Sequence, residues 1–165
     1  MPPAHGPGPD PAPEPVSRWV TGEEDGALWL KATAVAVNAA GILILGASGS
    51  GKSSLALALM AHGATLVSDD AVRLRPLPGG ALLERPDTSP DLIEARGVGL
   101  LQGGPVTRSV ALAIAVDLDR PETARLPPRR VLGIGDWTYP LILGGQAPSL
   151  AASLVIMARH GRAAP

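Results

Sequence analysis

The chain has 165 residues with 14 Lys plus Arg against 15 Asp plus Glu, no cysteine, no phenylalanine, one tyrosine and three tryptophans. That length suits one domain burying roughly 70% of its unfolded surface; the balanced charge gives no field to gather nucleic acid or anionic lipid, scarce aromatics argue against base stacking, and the lack of cysteine excludes disulfides and thiolate metal sites. No apolar stretch approaches the ~20 residues of a membrane span and the Pro-rich start does not resemble a secretory signal, so a cytoplasmic protein with no membrane or nucleic-acid partner is expected.

Residues 1–15 hold seven prolines, and residues 1–26 read as a Pro-rich disordered tail ahead of one folded domain over residues 27–165. From Ala27 the pattern changes. Leu28, Leu30, Ala32, Ala34 and Ala36 alternate with Trp29, Lys31, Thr33, Val35 and Val37, which predicts a strand with one better-buried face. Asn38-Ala39-Ala40-Gly41 signals a tight turn into a second strand, Ile42-Leu43-Ile44-Leu45.

That strand runs straight into Gly46-Ala47-Ser48-Gly49-Ser50-Gly51-Lys52-Ser53, which fits the phosphate-binding pattern G-x-x-x-x-G-K-[ST]. A Gly/Ser-rich turn is the plain alternative, but a turn needs no strand before it and no Lys-Ser and helix after it. Glycines let successive backbone N–H groups turn inward onto phosphate oxygens, and the following helix start adds its positive dipole end. Lys52 then reaches the outer phosphates and the Ser53 hydroxyl can hold magnesium. The helix is expected from about residue 52 to 62 with Leu55, Ala58 and Leu59 as its core stripe, ending at Gly63.

Thr65-Leu66-Val67-Ser68 reads as a short buried strand ending in Asp69-Asp70. A parallel crossover from the loop helix would bring this acidic pair beside the phosphates, at the strand end where α/β ligand sites lie; a surface turn is the alternative. Residues 71–75 and 81–85 flank Leu77-Pro78-Gly79-Gly80, a second hairpin. In Ile93-Glu94-Ala95-Arg96-Gly97-Val98-Gly99-Leu100, Glu94 and Arg96 share one face of an extended chain. They could form an exposed ion pair, or offer a carboxylate to magnesium and a guanidinium to phosphate. Residues 108–118 contain the long apolar run 110–116, which predicts a central strand, ending in Asp117-Leu118-Asp119. Asp117 is a second candidate acid, although its surroundings read as a solvated strand exit. Short strands are expected at 131–134 and 139–143, and a final helix at 148–160. Trp137 and Tyr139 either fill core space or contact a base. The sum is an α/β domain with a mixed sheet, a hairpin ahead of the loop and helices packed on it.

The loop, then helix, apolar strand and Asp-Asp, then E-x-R-G-x-G, in that order and with the hairpin in front, resemble the catalytic domain of HPr kinase/phosphorylase, in the short form found in alphaproteobacteria; the likeness runs from about Leu28 to Leu101. The resemblance implies a P-loop kinase of the HPr kinase/PEP carboxykinase-like type. It also implies an ATP- and magnesium-dependent serine protein kinase acting on the HPr phosphocarrier of the sugar phosphotransferase system. Under it, Gly46, Ala47, Ser48, Gly49, Ser50, Gly51, Lys52, Ser53 and Ser54 bind the ATP phosphates, and Ser53 with Glu94 ligates Mg2+. Asp69 takes the proton of the target hydroxyl, Asp70 orients the site, and Lys52 and Arg96 act on the phosphates. A homo-oligomer is implied too, hexameric in the full-length family. Two departures stand out. Lys31 occupies the position of a family histidine that partners the acidic pair, and it either bears on the site or points to solvent. The C-terminal arginine loop tied to the reverse reaction is not recognisable around Pro128-Arg129-Arg130, so kinase rather than phosphorylase activity is expected. A different class of reading is a nucleotide-binding regulatory or sensor module with little transfer.

Overall fold

The structure, a computed structural model, describes residues 11–145 and 147–163. With no phenylalanine to thicken a one-sided core, aliphatic side chains fill both faces of a curled sheet. In chain order the elements are β1 (Glu14–Pro15), a 3-10 turn (Val16–Trp19), β2 (Val20–Glu24), β3 (Ala27–Leu30), β4 (Thr33–Val37), β5 (Ala40–Leu45), α1 (Lys52–Ala61), β6 (Thr65–Ser68), β7 (Val72–Leu77), β8 (Gly80–Glu84), β9 (Leu92–Ala95), β10 (Gly99–Gln102), β11 (Ser109–Pro121), β12 (Val131–Ile134), β13 (Trp137–Gly145) and α2 (Leu150–His160).

β11 is the spine of the sheet. Its first residues pair antiparallel with β8, which leads through β7 and β3 to β2. Its later residues run parallel to β5 on one side and to β13 on the other. β4 lies antiparallel between β5 and β6. β5 and β6 therefore run the same way, one strand apart, with α1 as the crossover. On β4 and β5, Val35, Val37, Ile42 and Ile44 face Leu55 and Leu59 of α1 and Leu154 and Val155 of α2. Ala34, Ala36, Leu43 and Leu45 face the other way, into a core shared with Leu30, Leu74, Leu83 and Leu141.

Several expectations change here. The single strand foreseen over residues 28–37 breaks at Lys31-Ala32, where the chain passes from the β3 side of the sheet to the β4 side, and β4 is buried on both faces rather than one. The α1 stripe buries Ala56 rather than Ala58. The disordered stretch expected to residue 26 is corrected for residues 14–24. There, β1 pairs with β12, β2 pairs with β3, and Val16 and Trp19 enter the core, because the unpaired edges of β12 and β3 need partners that this segment supplies. Residues 1–10 lie outside the described residues.

Arg85, only 7% exposed, joins two parts of the domain that the sheet leaves apart. It donates to Val67 O at 2.7 Å, Ser89 O at 2.8 Å and Asp91 Oδ1 at 2.5 Å, tying β6 to the segment that leads into β9. Arg85→Met keeps the bulk and removes all three bonds. It is expected to cost about 2–3 kcal/mol, seen as a lowered urea midpoint at unchanged m-value; a loss under about 0.5 kcal/mol would refute this role.

Candidate active site

The loop between β5 and α1 owes its shape to glycine at two points. Gly51 sits at φ +100° directly before α1, a left-handed conformation that lets the chain turn into the helix. Gly46, at φ +151°, has no room for a side chain, since a Cβ there would collide with the Ser50 side chain. Ser50 N donates to Ala47 O at 3.1 Å and Leu55 N to Gly51 O at 2.9 Å. Among the described residues, the amides of Ser48, Gly49, Gly51, Lys52, Ser53 and Ser54 have no acceptor in the protein. Orphan donors clustered at a helix start fit a polyphosphate.

Those amides form one wall of a cleft of about 350 Å³ lined by Lys31, Lys52, Asp69, Asp70, Glu94 and Arg96 together with loop serines and glycines and Thr33. The crossover through α1 explains the meeting. β5 and β6 end at the same sheet edge, so Asp69 lands against the helix start. Ser53 Oγ donates to Asp69, with Oδ1 at 2.8 Å and Oδ2 at 3.1 Å, and Thr33 Oγ1 donates to Oδ1 at 2.8 Å. Thr33 is fully buried at the start of β4, so Asp69 is fixed from two strands and a helix. Because Ser53 spends its hydrogen on Asp69, its oxygen lone pairs stay free for a cation, and Glu94 lies across the same cleft; this donor set fits magnesium. Asp70 adopts φ +68°, which turns the chain sharply after Asp69. Glu94 and Arg96 arrive on the β9–β10 hairpin, a separate two-stranded sheet in which Glu94 pairs with Leu100.

Lys52 Nζ lies back over the loop, donating to Gly46 O and Ala47 O at 2.9 Å each. Burial holds its ammonium below the ordinary lysine range and the Lys31 charge adds to this, while Asp70, Asp119 and Asp69 pull the other way. Lys31, itself exposed, is among the residues that line the cleft.

Sequence reasoning named Asp117 as a second candidate acid but misread its surroundings. Asp117 is not a solvated exit: its side chain is fully buried and takes Arg120 Nε at 2.7 Å. Asp119, two residues on, accepts the Ala47 amide at 2.8 Å and so touches the loop itself. The available signal was the unbroken apolar run that leads into Asp117: from Ile114 through Asp117 every residue is buried, so the strand is covered on both faces where it reaches the acid. Tyr139 is buried, whereas Trp137 is 45% exposed, donates to Pro78 O and stands away from the cleft.

The lowered basicity of Lys52 has a definite sign in stability. Between the lowered value and 10.5 the unfolded chain binds more protons than the folded one, so folding gains stability as pH rises through that window. Wild type is therefore expected to gain on Lys52→Met as urea denaturation is followed from neutral to alkaline pH. A difference that stays flat or falls would contradict the buried-ammonium assignment.

Comparison with known proteins agrees with this arrangement. The family model described as HPr Serine kinase C-terminal domain matches residues 27–120. The HPr kinase/phosphorylase of Caldicellulosiruptor bescii is 38% identical over 137 residues, covering 79% of this chain and 42% of the relative. That of Bordetella pertussis is 52% identical over 62 residues, covering 37% of this chain and 20% of the relative. The chain thus spans well under half the length of these curated relatives. The solved structure of the Hpr(Ser) kinase/phosphatase from Coxiella burnetii superposes with a TM-score of 0.66 at 26% identity, covering 79% of this chain and 88% of that one. With the family model spanning the loop, the acidic pair and the β9–β10 hairpin alike, this chain belongs to the HPr serine kinase C-terminal domain family.

Proposed function

We propose that the domain transfers the γ-phosphoryl group of ATP to a serine hydroxyl of an HPr-like phosphocarrier protein. The observation that supports this reading is the Ser53–Asp69 contact, which brings the Asp69 carboxylate against the start of the glycine-rich loop's helix. In this reading the orphan amides of Ser48, Gly49 and Gly51 to Ser54 and the Lys52 ammonium hold the phosphates, Ser53 Oγ and Glu94 would hold magnesium, and Arg96 neutralises charge on the transferred group. Magnesium, when bound, spreads the negative charge that builds on the phosphate oxygens. Asp69 accepts the proton as the serine oxygen bonds to the γ-phosphorus and the bond from that phosphorus to the ADP oxygen breaks. Asp70, turned by its left-handed backbone, orients the neighbouring groups. Such a protein acts where phosphocarriers do, in the cytoplasm, as a homo-oligomer.

Lys31 on the cleft wall favours a second reading, a nucleotide-binding regulatory module with little transfer. One experiment separates the two. With labelled ATP, Mg2+ and purified HPr, label is expected on a serine of HPr. Asp69→Asn is expected to cut that rate by about 10²–10⁴ while nucleotide binding persists. Tight nucleotide binding by wild type with no labelled HPr would sink the kinase reading in favour of the sensor. Glu94→Gln is expected to raise the magnesium concentration needed for half-maximal transfer; an unchanged requirement would remove Glu94 from the metal site.

A further inference from the structure

The loop has a second anchor, on the side away from the cleft. Asp119 Oδ1 accepts the Ala47 amide at 2.8 Å, so this amide, unlike those of Ser48, Gly49 and Gly51, is not available to a phosphate. Asp119 is itself held. Its own amide donates to Asp117 Oδ1 at 2.9 Å, and Asp117 is wholly buried. The other Asp117 oxygen takes Arg120 Nε at 2.7 Å, and the remaining nitrogens of Arg120 grip both oxygens of Glu14, at 3.1 and 2.6 Å. Arg18 stands 3.9 Å from Asp117 and 4.0 Å from Asp119, its guanidinium 5.1 Å from the ring centroid of the buried Trp19. A continuous chain of hydrogen bonds and charges thus runs from the N-terminal segment, through the end of β11, to the first residue after Gly46. Glu14 and Arg18 both lie outside the stretch that matches the family model.

We infer that Asp119 is a positioning residue for the phosphate loop, and that the Glu14–Trp19 segment works as a brace that holds Asp119 in place. The chemistry is specific. A loop that presents a row of unpaired amides to a polyanion has no internal reason to stay open; left alone, its N–H groups turn toward water or nearby carbonyls. Clamping Ala47 at one end, while α1 fixes the other, keeps the intervening amides aimed inward before the ligand arrives. Asp117 cannot serve in place of Asp119, because burial and Arg120 occupy it. The carboxylate charge of Asp119 is not what the loop needs. Arg18, 4.0 Å away, partly offsets that charge, and the acceptor oxygen is the working part.

This inference rests on the loop holding ATP phosphates, and its test keeps the two claims apart. In the full chain, Asp119→Ala is expected to raise the KM and Kd for ATP about tenfold with kcat little changed, whereas Asp119→Asn, which keeps an acceptor oxygen without charge, restores most of the affinity. Arg120→Met and Glu14→Gln are expected to weaken binding in the same direction and less than additively with Asp119→Ala. Amide hydrogen exchange at Ala47 gives a readout that needs no nucleotide: protection lost in Asp119→Ala and kept in Asp119→Asn. Lowered thermal midpoints with unchanged ATP affinity and unchanged Ala47 exchange would overturn the inference. If wild type binds no ATP, the functional reading fails instead, and the exchange arm alone then decides whether the clamp exists.

Discussion

The molecule is governed by having to build an interior almost wholly from aliphatic side chains, with Trp19 and Tyr139 the aromatic members among the described core residues. Leucine, isoleucine and valine bury less area apiece than an aromatic ring, so the strands must be covered on both faces to gather enough of them. The answer is a sheet that curls, with two helices on its outer face and its own far strands closing over the inner one. β11 makes the curl possible by being parallel to its neighbours at one end and antiparallel at the other. Small residues complete the fit. At Gly41, where β5 starts beside β11, an added Cβ would stand 2.7 Å from Ala111 O.

The site inherits its geometry from that topology. β5 and β6 end together only because β4 is slotted between them in the opposite sense. The hydroxyl of Thr33, the first residue of that intervening strand, then falls on Asp69. A strand that looks like mere packing thus carries one of the two hydroxyls fixing the acid, and Ser53 carries the other. Buried polar groups of this kind are tolerable only when fully paired, and here each hydroxyl has a charged acceptor.

Most of this was legible in the chain because the relevant signals are local. The phosphate loop, the helix after it, Gly63 and the two hairpins all rest on residues within a few positions of one another. The acidic pair was legible too, since an apolar strand followed by two aspartates means the same thing wherever its neighbours lie. What escaped was long-range. Nothing near Asp119 in sequence reveals that its carboxylate meets Ala47, 72 residues earlier, or that Arg120 reaches back to Glu14 across 106 residues. The prolines of residues 1–15 led the stretch to residue 26 to be read as a disordered tail, and locally nothing opposes that: Val16 and Trp19 are held by contacts with strands that begin far downstream. Arg85 escaped for the same reason, being an ordinary hairpin residue until the buried carbonyl of Val67 is seen beside it.

The β9–β10 hairpin carries a consequence for the placement of charge. Among the described residues it forms no sheet pairing with the main body, and its base is held by Arg85 through Asp91 and by the Gly103 amide on Asp91 O. Beyond that base the ribbon is pinned again, because Ile93, 1% exposed, sinks into the core it shares with Leu55 and Leu59 of α1. Glu94 and Arg96 follow that plug directly, so the helix that begins at the phosphate loop also sets where their two charges stand. A ligand meeting those charges therefore meets groups registered to the same helix as the loop amides.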